Sequence, residues 1–419
     1  MKTTLTTAEV ASLAEHLKLN QLNVVEAVTP VNVAEAKAHF IDEAIQRRFP
    51  NIEFQYDIDK LKSCTVRNSA IERARHRILD NLTPENETDK AVYNILGHRF
   101  KQLDAANRII TGITNQSNDQ TAAAVRDLYG TVDDSEFYEA VRRPLKPSPN
   151  SIFLSDDERA ALQNISLNAL DIAKYFCGAL DYCGLKKWDV EISNQYSSID
   201  ARDINLTGHP ILGIPSDRRV SGLKLVSLIG HEINCHIRNV ENSRAWFTDN
   251  LDEDSPLLPL VPFLSKSFSE KNYEGIAKLS DYQTTGEVPT SDYLMTIALA
   301  QHVDSWSQVA SYNYRRAIAA GKSREQAANS AWIHTYRVLR GASDTAHTNG
   351  YAFTKDAGYL LGFKRMRELR KINSLYPEYA SLSEFDTTSL LAADAQAAPH
   401  FRDRNPAVWA AHQLLSNTR

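Results

Sequence analysis

The chain has 419 residues, of which 42% are hydrophobic and 24% charged, with a formal net charge of -5. That length can bury a large core and allows two or three domains. The nearly balanced charge, with no long basic block, argues against nucleic acid or an acidic membrane as the main partner, and no apolar run approaches the length of a transmembrane helix.

The opening MKTTLTTAEVASLAEHLKLN lacks the continuous apolar stretch of a secretory signal. The cysteines Cys64, Cys177, Cys183 and Cys235 follow no framework spacing, so reduced thiols in a cytoplasmic protein are expected. Residues 1–27 read as helical, with Thr7 capping the run that starts at Ala8. Asn32 is the expected N-cap of the next helix, Glu35 its capping-box partner, and Arg48, just before Pro50, its end. IEFQY, residues 52–56, alternates like a short strand, and residues 64–150 read as mostly helical. RRPLKPSPNSIFLS, residues 142–155, has the Pro and Ser content of a linker or surface loop.

From Ser155 the pattern sharpens. Residues 155–185 carry one or two helices ending at Gly184, and WDVEISN (188–194) and HPILGIP (209–215) read as strands. Ser221 is the expected cap of a long helix. A Pro-rich connection (248–268) leads to YEGIAKLSDY on another helix, and residues 297–321 and 323–341 are read as further helices, the second closed by Gly341. A loop over 342–350 precedes YAFTKDAGYLLGFKRMRELRKI, and the Ala-rich tail from 373 to 419 is read as helical in places. There is no internal repeat.

The chemistry concentrates in LVSLIGHEINCHIR, residues 225–238. Two imidazoles and a carboxylate on one apolar helix suggest a metal site with a built-in base. The spacing is HExxxH, not the familiar HExxH. Residues at i and i+5 of an α-helix point about 140° apart, a poor angle for sharing one ion. Either a π-type bulge brings His231 and His236 onto one face, or regular pairs bind instead: His231 with Cys235, or Glu232 with His236. The remaining ligand comes from elsewhere in the chain, with Glu274, Asp281, His302, His334 and His347 as candidates. Gly275, beside Glu274, permits close backbone packing there. Arg337, Arg340 and Lys355 offer cations for a carboxylate, and Tyr336, Tyr351 and Tyr359 offer hydroxyls for an oxyanion.

HEINCHIRNVENSR, YEGIA, YRVLRG and FTKDAGYLLG, in this order, resemble the tyrosine/phenylalanine carboxypeptidase family, whose bacterial members are called flavohemoglobin expression-modulating QEGLA motif proteins. The PVN…F…P…F.Y pattern from Pro30 to Tyr56 is similar to the start of that family's domain, so the resemblance spans about residues 28–372. It implies Zn2+ held by His231, His236 and Glu274, with Glu232 as catalytic acid/base, and so favours the bulged helix. Asn234 and Cys235 stand where the family commonly has Gly-Thr, and Tyr273 where bacterial members have Gln. These positions lie beside the metal and bear on its surroundings and on the substrate pocket.

The resulting expectation is an α+β fold, a helix-rich, zincin-like metallopeptidase with a small sheet beside the HExxxH helix. Its parts are a mostly helical region (1–150), a zinc metallopeptidase core (151–372) and a helical tail (373–419). The expected activity is zinc-dependent removal of a C-terminal residue, Tyr or Phe by resemblance, from a peptide or protein. Arg244, Arg337, Arg340, Lys355 and Tyr359 are the candidates for gripping the substrate. The alternatives are a zinc endopeptidase or amidase, and a non-catalytic regulatory or binding protein that keeps zinc structurally, against which an intact Glu232 argues. A local expectation follows as well: the helix between His231 and His236 departs from α geometry.

Overall fold

The computed structural model describes residues 2–3, 5–19, 24–135, 137–138, 153–196, 198–202, 210–238, 240–241, 244–245, 248, 251, 253–261, 270–372 and 405–417. Most of the linker read at 142–155, part of the Pro-rich connection, the tail from 373 to 404 and the side chains of Cys64 and Tyr273 lie outside the described residues. The fold is α+β, rich in helix with small sheets. Among the described residues no helix is long and apolar enough to cross a membrane.

The chain divides into two compact units. The first holds Met1–Thr4, Glu15–Pro144 and Thr290–Leu360; the second holds Leu5–Ala14, Leu145–Pro289 and Leu361–Arg419. This differs from the linear division expected from sequence. Residues 290–360 group with the N-terminal helices, and the C-terminal tail belongs to the unit that carries the HExxxH segment.

The first unit is helical, built from Val33–Ile45, Ile58–Leu79, Glu87–Thr114, Asn118–Tyr129, Asp292–Ala300, Trp306–Ala319 and Arg324–Leu339. Side-chain caps start several of these: Asp57 accepts from the Lys60 amide, Asn86 from Asp89 and Ser117 from Gln120, while Ser323 and Gln326 form a capping box. Aromatic rings fill its centre, with Trp306 and Trp332 at 5.5 Å between centroids and Phe54 at 5.3 Å from Trp306.

Several local expectations change. Asn32 stands at the N-cap, but its side chain reaches Glu53 O and Gln55 N instead of the helix, a long-range tie that outcompetes the local cap. That helix ends at Ile45, earlier than Arg48, with Arg47 at φ 62. Residues 52–56 form no strand among the described residues. The single helix read over 297–321 is broken between Ala300 and Trp306. Near the start of the chain, Thr6 and not Thr7 makes the cap, exchanging bonds with Glu9. Gly341 follows the helix Arg324–Leu339 at φ 90, the left-handed position a C′ glycine takes.

In the second unit, Ser155 and Glu158 box the start of Asp156–Gln163, and Asn168 and Asp171 that of Ala169–Tyr182. A three-stranded sheet follows. Ile211–Pro215 is central, parallel to Asp189–Ser193 and antiparallel to Asp200–Arg202 on the opposite edge. Ser221 caps Gly222–His231 through the Lys224 amide, as its sequence position predicts. That helix buries Leu225, Val226 and Ile229 against Leu212 and Ile214 of the sheet, Ile172 and Phe176, and Ala407 and Ala410 of the C-terminal helix Pro406–Ser416. Each fully buried aliphatic side chain contributes about 1.5–3 kcal/mol.

Candidate metal centre

The helix Gly222–His231 continues as a π-helix over Glu232–Ile237. The wider turn, with i→i+5 hydrogen bonds, puts positions five apart on one face. His231 and His236 accordingly meet with ring centroids 4.7 Å apart and planes at 85°. This is the departure from α geometry that the HExxxH spacing calls for.

Gly230 precedes the widening. A Cβ there would lie 3.0 Å from Ser280 Oγ and 3.4 Å from Ala407 Cβ, so glycine lets both neighbours approach. The Ser280 hydroxyl donates to the Gly230 carbonyl at 3.2 Å, supporting the backbone at the last α turn.

One ligand atom from each of His231, Glu232 and His236 lies within 4.8 Å of the others, so this group can hold a metal ion. Two carboxylates therefore compete for a place beside the histidines. Glu232 belongs to the compact trio, while Glu274, from the helix Glu270–Thr285, lies with Oε2 3.5 Å from His231 Nε2. Ligands on a tetrahedral zinc at ordinary bond lengths are separated by about 3.4 Å, so the Glu274–His231 spacing suits two ligands of one ion. The trio is looser and must close slightly on an ion. Glu232 is held differently: its Oε2 accepts the Ala201 amide at 3.0 Å, from the edge strand Asp200–Arg202. The donor set of two imidazoles and carboxylates fits a borderline cation such as zinc.

Asp281, weighed from sequence as a possible ligand, stands on the other side of His231. Its Oδ2 is 3.5 Å from His231 Nδ1, while Glu274, seven residues earlier on the same helix face, is near Nε2. The Asp281 carboxylate also accepts from Ser227 Oγ at 3.0 Å and from Lys278 Nζ at 2.7 Å. Sequence reading missed this orienting role; the seven-residue interval from Glu274 was its one available signal. Gly275 does what its position suggested. A Cβ there would sit 2.6 Å from the Gly362 carbonyl oxygen, so the Glu274 helix touches the segment from Leu361 backbone to backbone.

Burial and charge set the protonation of the metal-free site. Burial alone would push the His231 imidazole down, but Asp281 and Glu274 reverse this and raise its pKa to about 10. Burial opposes ionisation of Asp281 too, yet His231 and Lys278 hold it well below the usual carboxylate range. Glu232 is raised to about 8 by burial and by the Asp200 and Glu274 charges, against the opposing pull of His231 and the Ala201 amide.

The other sequence candidates lie elsewhere. Cys235 packs among Ile276, Ala277, Leu279, Tyr282, Phe363 and Met366, and burial pushes its thiol up, so the His231–Cys235 pairing is set aside. Asn234 donates to Asn405 Oδ1 at 3.1 Å, and the same oxygen caps Pro406–Ser416; the residue that departs from the resembled family's Gly-Thr thus latches the tail helix. Arg244 pairs with Glu241 at 3.0 Å, and Glu241 also accepts from Trp188 Nε1.

Arg337, Arg340, Lys355 and Tyr359 belong to the first unit, as do His302, His334 and His347. Within that unit His334 Nδ1 lies 2.7 Å from Ser330 O, His347 pairs with Asp344 at 3.1 Å, and the exposed His302 lies 3.6 Å from Asp134. Arg337 is paired with Asp356 through two contacts. Lys355 sits half-buried in the turn Thr354–Asp356, and Tyr359 lies near the start of Ala357–Ile372, under the Arg337 guanidinium at 5.9 Å. Tyr336 stacks on Trp332, and the Tyr351 hydroxyl donates to Arg340 O at 2.7 Å, which makes both part of the packing.

The chain matches no protein-family model and no curated protein. Its functional reading rests on the site and its chemistry.

Proposed function

We propose that this protein is a zinc-dependent carboxypeptidase of zincin-like build that removes a C-terminal residue, Tyr or Phe by the sequence resemblance, from a peptide or protein. The observation that carries the reading is the π turn that brings His231 and His236 together with Glu232 between them. Such turns are rare and are frequently found at functional sites. His231, His236 and Glu274 hold the ion, with Asp281 fixing the His231 ring through Nδ1.

A bound zinc ion supplies Lewis acidity, lowering the pKa of water to about 7 and polarising the scissile carbonyl. Glu232 accepts the proton of the attacking water on a carboxylate oxygen and delivers it to the departing amine. In the metal-free site burial raises its pKa to about 8, and a bound dication would draw it down toward the ionised form that accepts a proton. The Ala201 amide holds one oxygen of that carboxylate in place at 3.0 Å. The edge strand Asp200–Arg202 beside the π segment supports the zincin-like build. For the terminal carboxylate of the substrate, Arg244, which belongs to the same unit as the metal centre, is the candidate.

The test combines metal analysis with mass spectrometry of a digested library of peptides with varied C-termini. Stoichiometric zinc and loss of the last residue alone support the proposal. Internal cleavage makes the protein an endopeptidase, and zinc with no cleavage makes it a binding protein. Glu232→Gln keeps zinc and loses turnover, whereas Glu274→Gln loses zinc; the reverse pattern exchanges the roles of the two carboxylates.

A further inference from the structure

The start of the C-terminal helix Pro406–Ser416 touches the HExxxH segment on both sides of the point where α winding gives way to π winding. On the α side, a Cβ at Gly230 would lie 3.4 Å from Ala407 Cβ, so Ala407 packs onto helix backbone. Inside the π turn, Asn234 Nδ2 donates to Asn405 Oδ1 at 3.1 Å, the one side-chain hydrogen bond of Asn234 among the described residues. The neighbours fix the orientation of both amides. Asn405 Oδ1 also accepts from the Ala407 and Val408 N–H groups at 3.1 and 3.2 Å, which only an oxygen can do, so Asn234 supplies the donor.

The C-terminal helix is itself anchored on Ala169–Tyr182. Trp409 stacks on Tyr182 with ring centroids 5.8 Å apart and planes at 19°. Its Cη2 lies 2.5 Å from where a Cβ at Gly178 would be, so the indole occupies the space that glycine leaves open. Asn417 Nδ2 donates to the Tyr175 hydroxyl at 3.2 Å, and Ala407, Ala410 and Ala411 are completely buried. Asn405 therefore holds Asn234 from a fixed base.

A π turn is rare because its winding is less favourable than that of an α-helix, and contacts from outside must offset the difference. Ser280 and Ala201 hold the N-terminal end of this one, at the Gly230 carbonyl and the Glu232 carboxylate. Asn405 holds its middle, at the residue between His231 and His236. Ligands already in place lose less freedom when they bind, so fixing the turn beforehand favours the bound ion.

We propose that Asn405 is a positioning residue of the metal centre: through Asn234 it keeps the π turn wound, so that His231 and His236 are set for an ion before it arrives. The consequence for zinc rests on the metal reading above, whereas the hold on the turn is a property of the metal-free chain.

The experiment uses the full chain and two readouts. Asn405→Ser keeps a good helix cap, but its oxygen is one bond nearer the backbone and no longer reaches Asn234. Asn405→Asp keeps both the cap and the reach. Hydrogen exchange of the metal-free protein, read by mass spectrometry, is expected to speed up about fivefold or more over residues 232–238 in Asn405→Ser, and to stay unchanged over Glu87–Thr114 of the other unit. Zn2+ affinity, measured by competition with a chromogenic chelator, is expected to fall by about fivefold or more. Asn405→Asp is expected to keep both values within about twofold of the wild type. Asn234→Ala removes the same bond and leaves the cap intact, so it weakens zinc as much as Asn405→Ser does, and the two together weaken it no further.

Unchanged exchange over 232–238, unchanged zinc affinity in Asn405→Ser, or losses that multiply in the combined variant overturn the proposal. Asn234→Ala decides the matter even if Asn405→Ser does not fold. A wild type that binds no zinc overturns the metal reading itself, whereas zinc binding indifferent to both substitutions overturns only the role of Asn405.

Discussion

Asp281 faces His231 with 3.5 Å between Oδ2 and Nδ1, and this contact leaves the opposite ring nitrogen directed at Glu274. A carboxylate behind a metal-binding imidazole fixes its tautomer and raises its basicity. Replacing Asp281 by Asn keeps the shape but removes the charge. Asp281→Asn is expected to lower zinc affinity by about 10–100-fold. Competition with a chromogenic chelator measures this, and an unchanged affinity removes Asp281 from the site's function.

The same two carboxylates make metal binding compete with a proton. His231 in the metal-free protein has its pKa raised to about 10, so at neutral pH it carries a proton that must leave before the ring can bind an ion. Apparent zinc affinity is therefore expected to rise with pH, by up to about tenfold per unit below that pKa, with about one proton released from this ring. Titrations in buffers of different ionisation enthalpy count the protons, and zero release at pH 7 contradicts the charged state assigned to His231.

Gly275→Ala tests the backbone contact behind Glu274. Alanine in a helix interior normally gains up to about 1 kcal/mol over glycine. Here its methyl meets the Gly362 carbonyl oxygen at 2.6 Å, and backbone cannot turn aside as a side chain can. Overpacking of that kind costs about 1–3 kcal/mol, so the clash wins. The variant is expected to melt lower than the wild type and to bind zinc more weakly, because Glu274 moves with its neighbour. A rise in melting temperature refutes the close contact.

Cys235 separates the two pairings that a regular helix offers. Buried among apolar side chains, it is expected to resist alkylation in the native protein, while the exposed Cys177 reacts. Cys235→Ala leaves a small cavity and is expected to cost about 1 kcal/mol of stability without changing zinc affinity. A loss of zinc makes the thiolate a ligand.

Much of the site was legible because short-range spacing carries it. The five-residue interval between the histidines offered a π turn as one of two resolutions, the one the resemblance favoured, and the cap at Ser221 and the strands around Val190 and Leu212 follow from local pattern. What was not legible depends on partners distant in sequence. Asn32 gives up its capping bond for Glu53 and Gln55, a choice no local pattern shows. IEFQY alternates like a strand but pairs with no strand among the described residues. Phe40 packs against Trp332, with ring centroids 5.6 Å apart, and this kind of contact draws residues 290–360 to the N-terminal helices. Asp281 looked like one carboxylate among several until the partner helix placed it behind His231.

The π turn also reconciles two periodicities written into the same few residues. Ile229, Ile233 and Ile237 recur every four positions and are almost completely buried in the core. His231 and His236 recur at five and point at the candidate ion site. An ordinary helix honours the interval of four and splays that of five. The widened turn lies between them, so one segment serves the core with one rhythm and the chemistry with the other. A sequence change that restored ordinary winding would force a choice between stability and the metal.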